Sequence, residues 1–218
     1  MKTKKILAAI LTATMVMGAG TTAFAGSGSA APAQSASSES KSSDAEETTV
    51  SEVIPSVKTA GTSMTVAGKS VKTTIAGSYA AKSVQGLAVT GTMDSIKKSL
   101  GIKAGQTPYI MIFDTNAKKS YLAMNCVNAA AQAIGGQVEA TLTIDLGVRS
   151  NGQYVRLSKG TVGMVVGRPK GVDTTKTVSI VCVRPGGIID IVDDEDDNPN
   201  TVTFEVNAGL GTYAIVTK

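Results

Sequence analysis

Residues 190–218 read DIVDDEDDNPNTVTFEVNAGLGTYAIVTK and set two opposed signals side by side. Six acidic residues fall within the eight positions from Asp190 to Asp197, and Asn198-Pro199-Asn200 follow. Val202, Phe204 and Val206 then alternate with polar residues, and Tyr213 to Val216 closes the chain with a second apolar run. A two-residue period marks a strand with one buried face. The acidic run is therefore either a calcium loop or the polar tip of a hairpin. An EF-hand loop needs oxygen ligands at positions 1, 3 and 5, glycine at 6 and glutamate at 12. A loop starting at Asp194 supplies Asp194, Asp196 and Asn198, with Glu205 at the last position. Position 6, however, is Pro199, whose fixed φ cannot make the turn that glycine makes. Glu205 also lies on the solvent side of the alternation. The EF-hand reading fails. A looser calcium site from Asp193, Asp194, Asp196 and Asp197 is the remaining metal candidate, because Ca2+ accepts irregular oxygen clusters. The preferred reading is a solvated hairpin tip whose charges discourage edge-to-edge association.

Upstream, the same period recurs. From Val138 to Val148 every second residue is apolar, against Glu139, Thr141, Thr143, Asp145 and Gly147. Ser150-Asn151-Gly152 then turns the chain into QYVRL, TVGMVVGRP and KTVSIVCVRP continue the pattern, and Pro185-Gly186-Gly187 turns into IIDIV. PYIMIFDT (108–115) is a continuous apolar run suited to a central strand covered on both faces. SMTVAGKSVK (63–72) carries a hairpin signature around Ala67-Gly68, and GLAVTGTM (86–93) is a weaker strand candidate. DSIKKSLGI predicts one or two helical turns, capped by Asp94 or Ser95 and stopped at Gly101.

The spacing of Ala123, Val127, Ala130 and Ile134, with Leu122 and Cys126 alongside, predicts one long Ala-rich helix within 116–136. Strands separated by Gly-, Pro- and Asn-rich turns argue for a sandwich. The expected fold is mainly β (α+β): an antiparallel β-sandwich-like arrangement with one Ala-rich helix. Residues 53–136 would form an N-terminal β-rich part ending in that helix and 137–218 a C-terminal sandwich part, or 53–218 one continuous unit.

The first 25 residues have a different character. Lys2, Lys4 and Lys5 precede an apolar stretch from Ile6 to about Met17, and Ala23-Phe24-Ala25 ends it. This is the pattern of a secretory signal peptide, with cleavage expected after Ala25. The competing membrane anchor would have to tolerate Gly18, Gly20 and several threonines. Residues 26–52 are rich in Ser, Ala and Glu and nearly devoid of large apolar side chains, so a disordered spacer is expected there. The chain carries 21 basic and 17 acidic residues; without the three N-terminal lysines the basic count falls to 18. A near-neutral mature chain offers no basic surface for nucleic acid.

Histidine and tryptophan are absent. The commonest general base and zinc ligand are thus missing, and carboxylate and Ser–Lys chemistries are what remain for an enzyme. Cys126 and Cys182 leave a disulfide open in an exported chain, with two free core thiols as the preferred reading. Ser95-Ile96-Lys97-Lys98 matches S-x-x-K, but S-D-N and K-T-G partners are lacking, and Lys159-Gly160-Thr161 has the wrong order. Gly209-Leu210-Gly211 precedes a strand and so fails as a dinucleotide fingerprint. Tyr213 reads as a core or corner aromatic, and Lys97-Lys98 and Lys118-Lys119 as exposed faces. No catalytic, cofactor-binding or firm metal site is expected from these residues.

Several of these pieces recur together elsewhere. Lys176-Thr177, Val183-Arg184-Pro185-Gly186-Gly187, Asn200-Thr201-Val202-Thr203-Phe204 and Thr212-Tyr213-Ala214-Ile215-Val216 carry the resemblance. On them, 173–218 resembles a C-terminal module of exported and cell-surface proteins of anaerobic Gram-positive bacteria. That module's usual Phe-Ser before Thr-Tyr is replaced by Leu210-Gly211. Asn128 to Gly136, Ile144-Asp145-Leu146 and Asn151-Gly152 are similar to its upstream part. The resemblance implies a surface β-module without established catalysis, often an accessory to adhesins or other wall proteins, and no binding residues.

The expected function is accordingly a secreted, non-catalytic cell-envelope or extracellular module with a structural or interaction role. Its expected partners are a cell-wall component or another surface protein, without nucleic acid, without membrane after signal cleavage, and without a cofactor. The alternative is an extracellular binding protein for carbohydrate or peptide, and a hydrolase ranks third. Clustered exposed tyrosines would favour a sugar platform, whereas burial of Tyr79, Tyr109, Tyr154 and Tyr213 would count against one.

Overall fold

A computed structural model describes residues 56–218. The signal peptide expected over 1–25 and the spacer expected over 26–52 lie outside the described residues. Among the described residues thirteen strands and two helices follow one another. They are β1 (Val57–Lys58), β2 (Ser63–Val66), β3 (Lys69–Lys72), β4 (Ala76–Tyr79) and β5 (Leu87–Val89), then α1 (Met93–Ser99) and β6 (Gln106–Asp114). After α2 (Tyr121–Ala133) come β7 (Gln137–Ser150), β8 (Gln153–Arg156), β9 (Thr161–Gly167) and β10 (Val178–Arg184). Strands β11 (Ile188–Asp193), β12 (Thr201–Asn207) and β13 (Gly209–Thr217) complete the chain.

Turn chemistry fixes the hairpins. Ala67 and Gly68 join β2 to β3 at φ of 47° and 79°, and Asn151 and Gly152 join β7 to β8 at 50° and 77°. Positive φ at both central positions is the two-residue turn whose twist matches the flanking strands. Pro185-Gly186-Gly187 joins β10 to β11.

The strands form two main sheets. The larger has the order β1-β4-β6-β7-β13-β10-β11, with β8 also paired to β7, and the smaller is β12-β9-β5. All pairings are antiparallel except β4 with β6. Strands from both sides of residue 136 share each sheet: β6 pairs with β7, and β5 with β9. Alternation sends Ile110, Leu142, Ile144, Ile180 and Ile215 from the large sheet against Val89, Met164, Val166 and Phe204 from the small one. The opposite face takes Val181, Val183, Ala214 and Val216, onto which α2 lays Val127, Ala130 and Ala131. The described residues therefore stack as helix, large sheet and small sheet, a mainly β fold.

Three expectations change in detail. The acidic run is not a hairpin tip: β11 is an edge of the large sheet, whereas β12 pairs with β9 in the small one. Residues 194–200 thus carry the chain between sheets. The alternation of β12 reports a buried face, but it does not report a partner. The cap of α1 is Thr92, earlier than Asp94 or Ser95, because Thr92 and Ser95 exchange backbone–side-chain bonds in a capping box. Finally, α2 starts at Tyr121, since Asn116 closes a preceding turn by accepting from the Lys119 amide at 3.1 Å.

The two thiols are free, and the large sheet separates them. Cys182 faces the core between the sheets, while Cys126 packs from the helix side.

Candidate functional site

The four aspartates singled out as calcium candidates lie along the crossover, and their side chains shape it. Asp194 Oδ1 accepts from the Asp196 amide at 3.2 Å and the Thr203 amide at 2.9 Å. Asp196 Oδ1 accepts from the Asn198 amide at 2.7 Å, and Asn198 Oδ1 accepts in turn from the Asn200 amide at 3.1 Å. Three Asx turns, two residues apart, thus replace the ladder bonds that the segment lacks. Asp196 Oδ2 also accepts the hydroxyls of Thr203 at 2.5 Å and Thr201 at 3.1 Å. Asp193 accepts from Ser179 Oγ at 3.0 Å, and Asp197 is exposed. Among the described residues no three Asp, Glu or Cys side chains group as metal ligands. Burial pushes the Asp194 carboxyl above its usual value, against the amides it accepts, and Asp196 nearby adds to the rise.

Arg168 stands beside this run and had no signal in the sequence. Its guanidinium is buried; Nη1 donates to the carbonyls of Asp173 and Lys176 at 3.3 and 3.2 Å, and Nε has no hydrogen-bond partner among the described residues. The Arg168 amide donates to the Asn200 carbonyl at 3.0 Å, which ties the 169–176 loop to the crossover.

A second polar cluster covers the helix-bearing face of the large sheet. Buried Asp145 accepts from Tyr154 at 2.8 Å and from Arg156 Nε at 3.1 Å, with an ion pair to Arg156. Tyr154 meets Tyr109 edge-on at 6.2 Å, and the Arg149 guanidinium lies 3.9 Å above the Tyr109 ring. Burial and Asp145 together push the Tyr154 hydroxyl well above its ordinary value. Every member of the cluster has a partner, and its geometry fastens the β7–β8 hairpin to the sheet.

The other motifs resolve into structure. Ser95 serves the capping box and makes no bond to Lys98. The segment containing Lys159-Gly160-Thr161 does meet α1, through Ser99 Oγ and the Thr161 backbone. Tyr213 is a core residue: its ring lies 5.8 Å from Phe204 and its hydroxyl accepts from the Asn207 amide at 2.9 Å. At Gly211 a Cβ would sit 2.8 Å from the Tyr213 ring, so no side chain fits there without displacing that ring.

One feature escaped the sequence reading. The first turn of α2, the Pro185–Gly187 turn and the start of β13 enclose an open groove of about 550 Å3. Tyr121, Leu122 and Leu210 line it and are 60%, 66% and 36% exposed. Five residues at about 100° each place Leu122 about 140° around the helix from Val127, well off the buried stripe. That offset was the available signal. Thr143 and Thr212 lie on the floor, Lys119 and Arg184 are the charged residues, and no Asp or Glu lines it.

Comparison with protein-family models, curated proteins and solved structures gave no match. The functional reading therefore rests on the geometry and the sequence.

Proposed function

We propose that this chain is an exported, non-catalytic β-module with a structural or interaction role at the cell envelope, akin to the surface modules that 173–218 resembles. The observation that carries the reading is where its reactive-looking polar groups are used. Asp194 and Asp196 hold a crossover, Ser95 caps a helix, and Asp145, Tyr154 and Arg156 fasten a hairpin. A nucleophile, a base and an orienting group do not meet among them. Tyr109 and Tyr213 are buried and Tyr79 and Tyr154 are half-buried with bonded hydroxyls, which counts against a sugar-stacking platform. The expected partner is a cell-wall component or another surface protein. The apolar groove favours the peptide form of the binding-protein alternative.

The test is co-sedimentation of residues 26–218 with purified wall from the producing cell. Retention on the wall with no release of soluble fragments is the expected result. A chain that stays wholly in the supernatant would sink the envelope assignment, and released reducing sugars or amino groups would make it a hydrolase.

A further inference from the structure

The groove beside α2 is apolar and open, and of its two lining charges Arg184 is paired with Asp190 while Lys119 makes no ion pair among the described residues. The groove's walls are Tyr121, Leu122, Cys126, Val183 and Leu210, and two of the five are among the most exposed large hydrophobic residues described. Lys119 stands at the rim, beside Lys118, and α2 has no acidic residue in its first turn. Ser120 provides no side-chain cap, so the helix opens with its positive end unscreened. A second observation comes from the floor. Thr212 is 7% exposed, and its hydroxyl makes no hydrogen bond with the described residues. Its β-sheet partners Val183 and Thr143 line the same groove, and Ala214, two residues on, packs under the helix. Thr212 therefore points to the groove side. Its hydroxyl opens on the groove and is free to bond a ligand there.

We propose that this groove docks an extended peptide segment of a partner protein, with apolar side chains against Leu122 and Leu210 and a carboxylate at the amino end of α2 beside Lys119. Arg184 is held by Asp190 at 2.8 Å, so Lys119 and the open helix end are what an acidic partner complements. The open shape selects a peptide over an alkyl chain. An alkyl chain would leave one side wet along its whole length, whereas an extended peptide turns alternate side chains down and the others to solvent, and a polar side chain turned down can bond Thr212. The inference rests on the reading of the chain as a binding module. A chain that sediments with wall but selects no peptide would lose only the groove.

The test is selection of random octapeptides on residues 26–218, with counter-selection on Leu122→Glu. Leu122 is 66% exposed, so the substitution leaves the fold intact, as an unchanged unfolding midpoint would verify. The expected winners carry two apolar residues and an Asp, Glu or free C-terminal carboxylate, and bind Leu122→Glu about tenfold or more weakly. Lys119→Glu, on another exposed residue, should shift the preference toward basic peptides. Winners without a carboxylate, or no enrichment over Leu122→Glu, overturn the proposal. Dodecanoate binding lost in Leu122→Glu with no peptide enriched overturns it in favour of a lipid. A wild-type dimer dissolved by Leu122→Glu overturns it in favour of a second copy.

Discussion

At Gly211 the absence of a side chain is itself a packing element. The Tyr213 ring occupies the space that a Cβ would need, and its hydroxyl serves the Asn207 amide. Gly211→Ala should therefore destabilise the fold by about 1–3 kcal/mol in chemical denaturation; a variant as stable as wild type would show that the ring has another place to go. Asp196 makes the converse case, a polar side chain that accepts from three internal donors, the Asn198 amide and the hydroxyls of Thr201 and Thr203. Asp196→Ala should cost about 1–3 kcal/mol through the donors it strands, and calcium titration should leave the unfolding midpoint of the wild type unchanged. A concentration-dependent rise in midpoint, lost on joint Asp194→Asn and Asp196→Asn substitution, would restore the metal reading. Asp194 carries a pH signature as well. Burial raises its carboxyl above the unfolded value, so the folded chain holds that proton more tightly. Its contribution to stability is complete below the unfolded value and is lost as pH rises through the folded one. Asn keeps an acceptor for both amides and removes the charge. The stability of Asp194→Asn relative to wild type should grow between about pH 3 and about pH 7, and a difference that shrinks over that range would reverse the sign assigned here.

Elements differ in how far their sequence foretold them. Hairpins were legible because Ala67-Gly68, Asn151-Gly152 and Pro185-Gly186-Gly187 demand particular backbone conformations whatever surrounds them. The strand over 137–150 was legible from its strict alternation. Its partners were not, since a two-residue period gives the buried face and is silent about neighbours. That is why β11 and β12, adjacent in sequence and separated by a polar run, looked like a hairpin and belong to different sheets. For α2 the stripe identified Val127 and Ala130 correctly, while Leu122 was grouped with them by sequence proximity when its angle sets it apart. The groove was illegible for the same reason, because its far wall comes from residues some sixty to ninety positions later in the chain. The helix makes the distinction measurable: Val127→Ala should cost about 1–3 kcal/mol, whereas Leu122→Ala should change stability by less than about 0.5 kcal/mol. Equal effects would mean that Leu122 is covered.

Across the whole molecule, pairing is dominated by residues distant in sequence. The parallel β4–β6 pair, the β5–β9 pair and the β7–β13 pair each span long intervals of chain, a topology that folds slowly because loop closure precedes any gain from contact. The last strand is not an appendage. β13 lies between β7 and β10 and pairs with both along most of its length, so it joins the two halves of the large sheet. Deletion of residues 209–218 should abolish cooperative unfolding, read by circular dichroism on heating; a truncated chain that still melts cooperatively would show that the halves can close without it. The order of synthesis then governs the order of assembly. A nascent chain cannot complete its large sheet until residues 209–217 have been made, so β7 and β10 wait unjoined for the strand that lies between them.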